Sequence, residues 1–332
     1  SDHASAHFLF GESQLKQGNA EIALNSYQRA VELNPGLTGA NLRLAHIYAN
    51  SGKLNKAITK SETILKLEPQ NVDALLVSAQ ALARKGYLHE ATQKAKRAVE
   101  LGSDNIQAQL LLAQCYVSAG DYDHAEHSFQ QAIDMDENST KTRYYLAKFY
   151  LLRNDLGKAE KVMQTITREF PNESAHIMNL AQFYRHIGLQ EKAIEVVENA
   201  LHRTPNNISI HALLARLLLF DGETDSAEKL LKKCKTDFSK RITPYLYLGS
   251  FYLALRQYDD AIKEYSLALK KFPNDIRLMK PLSQILFKTG KLDAAQEIVE
   301  KILKQKKGHL FARILKGRIM LERRNYTNAL HI

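Results

Sequence analysis

One spacing constrains this chain more than any other feature. From Ala4 onward the sequence repeats every 34 residues without an insertion or deletion, giving nine complete copies and the start of a tenth. The copies run 4–37, 38–71, 72–105, 106–139, 140–173, 174–207, 208–241, 242–275 and 276–309, with a partial copy at 310–332. Two columns hold in all of them. The twentieth position is always alanine: Ala23, Ala57, Ala91, Ala125, Ala159, Ala193, Ala227, Ala261, Ala295 and Ala329. The eighth is always small: Gly11, Ala45, Ala79, Ala113, Ala147, Ala181, Ala215, Gly249, Ser283 and Gly317. Small side chains at two fixed places mark a close crossing of two helices, where added volume costs about 1 to 3 kcal/mol.

Within a copy the pattern is a helical hairpin. In the copy starting at Ser174 an apolar helix carrying Leu180, Ala181 and Tyr184 breaks at Gly188; a second helix carrying Ala193, Val197 and Ala200 ends before Pro205. Position 11 supplies a larger core residue, such as Tyr48, Tyr116, Tyr150, Tyr184 and Tyr252, or Leu82, Leu218 and Leu286. Position 15 holds glycine in most copies and Asn154 in the fifth, both of which tolerate the left-handed conformation that ends a helix. Pro35, Pro69, Pro171, Pro205 and Pro273 at position 32 read as stops for the second helix. Pro281, at position 6 of the ninth copy, predicts a first helix that starts late or kinks. Residues 235–243 lack the usual proline and predict a looser junction.

These columns resemble the tetratricopeptide repeat family, and the resemblance covers residues 4–332. The chain departs from the family in having no Trp; His7, Asn41, Leu75, Gln109 and their equivalents stand where one is common. The resemblance implies an all-α solenoid of about ten antiparallel helix-turn-helix repeats, forming one right-handed superhelix with first helices on its concave face. Uninterrupted repeats with Leu146-Ala147-Lys148-Phe149-Tyr150 in a first helix are loosely similar to bacterial envelope and exopolysaccharide-associated members, which implies a soluble protein of the bacterial cytoplasm or periplasm. Two specialised grooves of the family are not matched. Position 6 carries a single asparagine, Asn179, so there is no asparagine ladder of the kind found in the enzyme that adds N-acetylglucosamine to Ser and Thr. The Lys and Asn set of the chaperone-tail clamp is absent as well.

Composition closes off other classes. Apolar residues at 45% and charged residues at 25% are ordinary for a folded chain, and no apolar run of about 18 residues suggests a membrane span. Tyr326, Ala329 and Leu330 form an apolar face with no following repeat, from which a longer protein is expected. Cys115 and Cys234 fall at packing positions and read as buried small hydrophobes. Searches for convergent chemistry return fragments. His89-Glu90 lacks its second histidine, since Gln93 stands one turn on; His124 and His127 point outward as solvated residues; Gly52-Lys53 and Gly290-Lys291 lack the first glycine of a phosphate loop. The expectation is no catalytic residue, no metal and no cofactor.

Function therefore rests on the groove. In the family, first-helix positions 2, 5, 9, 12 and 13 face it, and position 9 is polar in every copy, including Gln114, Lys148, Gln182 and Arg216. With Tyr144, Arg185 and His186 these form a central patch suited to an extended, acidic protein or peptide. All of the net charge of +10 lies in residues 172–332, where 27 Lys and Arg face 17 Asp and Glu; much of it is expected on second helices, away from the groove, which argues against nucleic acid. The resulting expectation is a noncatalytic scaffold within a larger assembly, the alternative being the substrate-recruiting arm of an enzyme whose catalytic domain lies elsewhere.

Overall fold

A computed structural model describes residues 2–325. Among the described residues there are nineteen α-helices and no strand. They are α1 (Asp2–Lys16), α2 (Ala20–Leu33), α3 (Thr38–Asn50), α4 (Leu54–Leu67), α5 (Val72–Lys85), α6 (Leu88–Leu101), α7 (Ile106–Ala119), α8 (Tyr122–Met135), α9 (Thr140–Leu152) and α10 (Leu156–Glu169). There follow α11 (Ser174–His186), α12 (Gln190–Arg203), α13 (Ile208–Phe220), α14 (Thr224–Asp237), α15 (Thr243–Ala254), α16 (Tyr258–Lys271), α17 (Ile276–Lys288), α18 (Leu292–Gln305) and α19 (Leu310–Glu322). Odd-numbered helices are the first helices of the repeats and even-numbered ones the second. The fold is an all-α solenoid of paired helices, divided into two compact units, Ser1–Ile166 and Thr167–Ile332. In each unit successive first helices touch, as α3 does α5 and α11 does α13; among the described residues no two successive second helices approach as closely. Each unit therefore curves with its first helices inward.

The small columns sit where the hairpins cross. All nine described alanines of position 20 are completely buried; Ala329, Tyr326 and Leu330 lie outside the described residues. At position 8 the room left by glycine has a specific occupant. A Cβ on Gly249 would stand 2.5 Å from the ring of Tyr265, and one on Gly11 would stand 2.6 Å from the ring of Tyr27. Where position 8 is alanine, position 24 is Ser61, Ala95, Met163, Val197 or Leu231 and once a ring, Phe129; both tyrosines occupy the same position and are fully buried. Passing through the gap lets the ring reach position 9 on the inner face: Tyr27 donates to Glu12 at 2.6 Å and Tyr265 is hydrogen-bonded to Ser250 at 3.1 Å. Burial, then the hydrogen bond to Glu12, push the Tyr27 hydroxyl up to about 12.

Position 11 ties one hairpin to its predecessor. Tyr150 donates to Glu126 at 2.7 Å and Tyr252 to Glu228 at 2.6 Å, each glutamate lying on the preceding second helix. Position 19 then supplies a group against the position 11 ring: Lys56 over Tyr48, Lys158 over Tyr150, Lys192 over Tyr184, and the imidazole of His124 stacked on Tyr116 at 5.1 Å. His124 is thus not simply solvated; its Nδ1 also lies 2.8 Å from Asp121.

Local signals fix the ends. Asn71, Asn105, Ser139, Asn207, Asp275 and His309, each the last residue of its repeat, accept a backbone N–H of the helix that follows. Position 15 is left-handed in every copy: in addition to the glycines and Asn154, Arg256 (φ 59°) and Arg324 (φ 58°) adopt it. Second helices stop at position 30 with or without the proline at 32, so proline marks the end and the extended residue at 31 makes it.

Two local expectations change: the late start of the ninth first helix is excluded, and the 235–243 junction is not loose. Helix α17 starts on time at Ile276, under an Asp275 cap, and carries Pro281 in its interior, where the ring removes the N–H that would otherwise bond the Arg277 carbonyl. The 235–243 junction is held in place: Tyr245 donates to the Ser239 carbonyl at 3.1 Å, Phe238 meets His211 edge-on, and Lys235 pairs with buried Glu264 at 2.9 Å. Its difference is at the cap, where Arg241 replaces the usual Asn or Ser and α15 begins one residue late with Pro244 in its first turn. Cys115 and Cys234 are free and buried as expected, and burial lifts both thiols to about 11.

Gly249→Ala is expected to cost about 1 to 3 kcal/mol by collision with Tyr265. In a Tyr265→Leu background the same change is expected to cost under about 0.5 kcal/mol, since Ala215 already faces Leu231 in that arrangement. A double-mutant cycle from urea midpoints reads the coupling, and a value near zero contradicts this packing. Hydrogen bonds from Lys158 and from Tyr252 hold the Glu126 and Glu228 carboxyls, respectively, below their ordinary value of 4.5. A depressed folded-state value means stability that is complete above the ordinary carboxylate range and lost as pH falls through it. Glu126→Gln with Glu228→Gln is expected to flatten the fall in urea midpoint between about pH 5 and pH 3.

Candidate partner-binding face

Once positions 8, 20, 24 and 27 are committed to the core and 11 to the clamp, first helices have positions 2, 5, 6, 9, 12 and 13 left for the inner side. The expected residues fall there in two groups. In the first unit, Gln114 is exposed on α7, while half-buried Tyr144 and exposed Lys148 lie one turn apart on α9; Lys148 sits 6.0 Å from the ring of Tyr145. In the second unit, Gln182 and His186 are exposed and Arg185 half-buried on α11, and Arg216 is exposed on the adjoining α13. Arg185 lies flat against Phe220 of α13, 4.2 Å from the ring centroid, and its buried Nε has no hydrogen-bond partner. Phe220 itself is 70% exposed.

Two hollows open on this face of the second unit. One, of about 390 Å³, is lined by Met178 of α11, Ala212, Arg216 and Leu219 of α13, and Tyr247 and Ser250 of α15. The other, of about 700 Å³, lies among α15, α17 and α19 and includes Leu253, Phe287, Lys288, Phe311, Ile314 and Arg318. Reading the sequence for a central patch missed this second hollow, although its residues fall in the same columns.

Both units place cations on this face, and in the first unit one of them, Lys148, also lies against a ring without a carboxylate partner among the described residues. In the first, Arg43 gives two 2.8 Å hydrogen bonds to Glu12, and Arg84 donates to the Ala49 carbonyl. Burial works to raise the Glu12 carboxyl, but hydrogen bonds from Arg43 and Tyr27 outweigh it and hold it below its usual range. In the second unit the face carries Arg185, Arg216, Arg277, Lys280, Lys288 and Arg318 against one acid, Glu322. This corrects the expectation that the basic excess lies largely off the groove. Arg277 pairs with Asp275 at 2.7 Å. Among the described residues the other five have no carboxylate partner, and four lie against aromatic rings: Arg185 on Phe220, Lys280 on Phe311, Lys288 on Tyr258 and Arg318 on Phe287. Also among the described residues, no group of three or more His, Cys, Asp or Glu could hold a metal ion, and no helix is long and apolar enough to cross a membrane.

A buried guanidinium nitrogen without an acceptor destabilises the fold by about 1 kcal/mol or more. Arg185→Met keeps the stem packed on Phe220 and removes that orphan donor, so it is expected to leave the thermal midpoint unchanged or raise it. A fall of several degrees shows that Arg185 is structural.

Comparison with known proteins follows this geometry. A sequence profile described as "Tetratricopeptide repeat" matches residues 124–308, and another of the same description matches 8–60. A profile described as "Anaphase-promoting complex, cyclosome, subunit 3" matches residues 50–132. Tetratricopeptide repeat protein 21A of Mus musculus is 28% identical over 87 residues, 26% of this chain; the matched stretch spans 7% of the mouse protein. Among solved structures, a tetratricopeptide repeat protein from Parabacteroides merdae superposes with a TM-score of 0.51 at 17% identity, covering 75% of this chain and 98% of that one. The Thermus thermophilus repeat protein TTC0263 gives 0.45 at 24% identity, over 54% of this chain and 98% of its own. With more than half of its length matched by the repeat profile and its helices in register with a 34-residue period, the chain belongs to the tetratricopeptide repeat family.

Proposed function

We propose that the chain is a noncatalytic scaffold that binds an extended protein segment along the first-helix face, within a larger assembly. In this proposal residues 4–332 act as one continuous superhelix whose first helices line a concave groove. Gln114, Tyr144, Lys148, Gln182, Arg185, His186 and Arg216 contact the partner there. The observation that carries it is a group of second-unit cations on this face, Arg185, Lys280, Lys288 and Arg318, which lie against aromatic rings and, among the described residues, have no carboxylate partner. Charged groups left without internal neutralisation favour an acidic partner. The exposed polar column at position 9 suits hydrogen bonds to an extended backbone. A bacterial cytoplasm or periplasm is the setting proposed from the resemblance to envelope and exopolysaccharide-associated members.

Site-specific photocrosslinking tests this reading. A photoreactive residue placed at Gln114, Gln182 or Gln284, on first helices, is expected to capture a discrete protein in extracts of the source organism, identified by mass spectrometry. The same residue at Glu198 or Lys229, exposed on second helices, is expected not to. Capture only from the second helices overturns the proposal.

A further inference from the structure

We infer that the hollow among α15, α17 and α19 is a docking site for an extended segment of an acidic protein in which carboxylates are interspersed with large apolar side chains. This inference rests on the protein-binding reading above and gives it a second location and a partner chemistry.

The hollow is about 700 Å³, within the range of about 300 to 1,000 Å³ typical of binding pockets. Leu253, Ile285, Phe287, Phe311 and Ile314 give it an apolar floor, and among the described residues Arg256, Lys288 and Arg318 are the charged ones that line it. Among the described residues no carboxylate lines it. An apolar floor under a cationic rim is complementary to apolar side chains carried between acids, and to neither kind of group alone.

The manner in which the cations are held strengthens this. The Arg318 guanidinium lies 4.7 Å from the centroid of Phe287, the Lys288 ammonium 4.8 Å from Tyr258, and Lys280, at the edge of the hollow, 5.2 Å from Phe311. A ring restrains a cation and shields one side of it without accepting its N–H groups, so the donors stay free for an incoming carboxylate. The contrast with Arg43 is direct, since that guanidinium already gives two hydrogen bonds to Glu12. Side chains restrained before binding lose less entropy when the partner arrives.

The same arrangement disfavours single-stranded nucleic acid. Bases need open aromatic faces on which to stack. Here a cation of the chain itself already lies against Phe287 and against Phe311. Phosphates would find the rim, but bases would meet occupied rings.

Fluorescence anisotropy with the full chain tests the inference. The probe is a short fluorescein-labelled peptide repeating the unit Asp-Glu-Phe-Asp-Glu-Leu. Two peptide controls replace its acids by Asn and Gln, or its Phe and Leu by Ser, and a labelled oligouridylate of equal length serves as the nucleic-acid arm. Saturable binding is expected, weakening with salt, with each control peptide bound about tenfold or more weakly. Arg318→Gln combined with Lys288→Gln is expected to lower affinity about tenfold or more without moving the thermal midpoint. Phe287→Leu keeps the floor apolar, releases Arg318, and is expected to lower affinity about threefold to tenfold. No saturable binding, equal binding of either control peptide, or tighter binding of the oligouridylate overturns the inference. So does undiminished affinity in the Arg318→Gln, Lys288→Gln variant; if binding falls instead in an Arg185→Gln, Arg216→Gln variant, the scaffold reading stands and only this location is lost. Crosslinks confined to second helices would remove the scaffold reading itself.

Discussion

The architecture depends on how closely two helices can cross. At position 20 every described alanine is fully buried, and at position 8 two glycines leave room for a facing tyrosine ring. A larger side chain at either place would separate the helices of a hairpin, and that displacement would be passed to the next hairpin, because within each unit first helices such as α5, α7, α13 and α17 pack on the preceding second helix. This explains why the period tolerates no insertion across nine copies. A solenoid is stabilised by nearest-neighbour interfaces, so an error in one interface has no distant contact to compensate it.

Much of this was legible in the sequence, because the packing positions recur and repetition averages out local noise. Helix limits, the left-handed break at position 15 and the burial of both cysteines follow from columns that can be read by counting. Features that involve pairs of columns were harder to see. Gly249 reads as one more small residue until Tyr265 is known to fill its place. The position 11 tyrosines read as core plugs, and they are buried, but the hydroxyls of Tyr150 and Tyr252 also reach glutamates on the preceding second helix. Part of the signal was present in the sequence: Lys56, His124, Lys158 and Lys192 appear at position 19 in four of the five copies with tyrosine at position 11, Asp260 accompanying Tyr252, while Glu90, Ser226 and Ala294 accompany leucine. Arg256 and Arg324 were missed because nothing in an arginine announces a left-handed residue; the requirement comes from the hairpin turn and overrides local preference.

The columns of the candidate face were legible in the sequence; how its cations are held was not. Counting charges along the chain located the basic half correctly. It could not say which cations are neutralised, since that depends on what lies across the groove rather than along the helix. Arg43 and Arg318 sit at positions 6 and 9 of their helices and would be ranked alike from sequence, yet one is held by a carboxylate and the other by a phenyl ring. Weighting the middle of the array also passed over Phe220, Phe287 and Phe311, because an aromatic residue on an inner helix reads first as core.

The way a cation is held decides what it can still do. An arginine paired with a glutamate through two hydrogen bonds has its directional donors occupied, and a partner's carboxylate must displace one that is already in place. An arginine held against a ring keeps those donors, and the ring lowers the entropy lost when they are used. The fold gains little from such a contact at a solvent-facing site, about 0.5 to 1 kcal/mol, and loses something where a nitrogen such as Arg185 Nε is buried without an acceptor. Stability alone would favour methionine or leucine at these positions, as it favours leucine at the corresponding positions of neighbouring repeats, Leu219 and Leu253. Retaining cations there, stacked and unneutralised, is a cost that the fold does not need and that an acidic partner would repay.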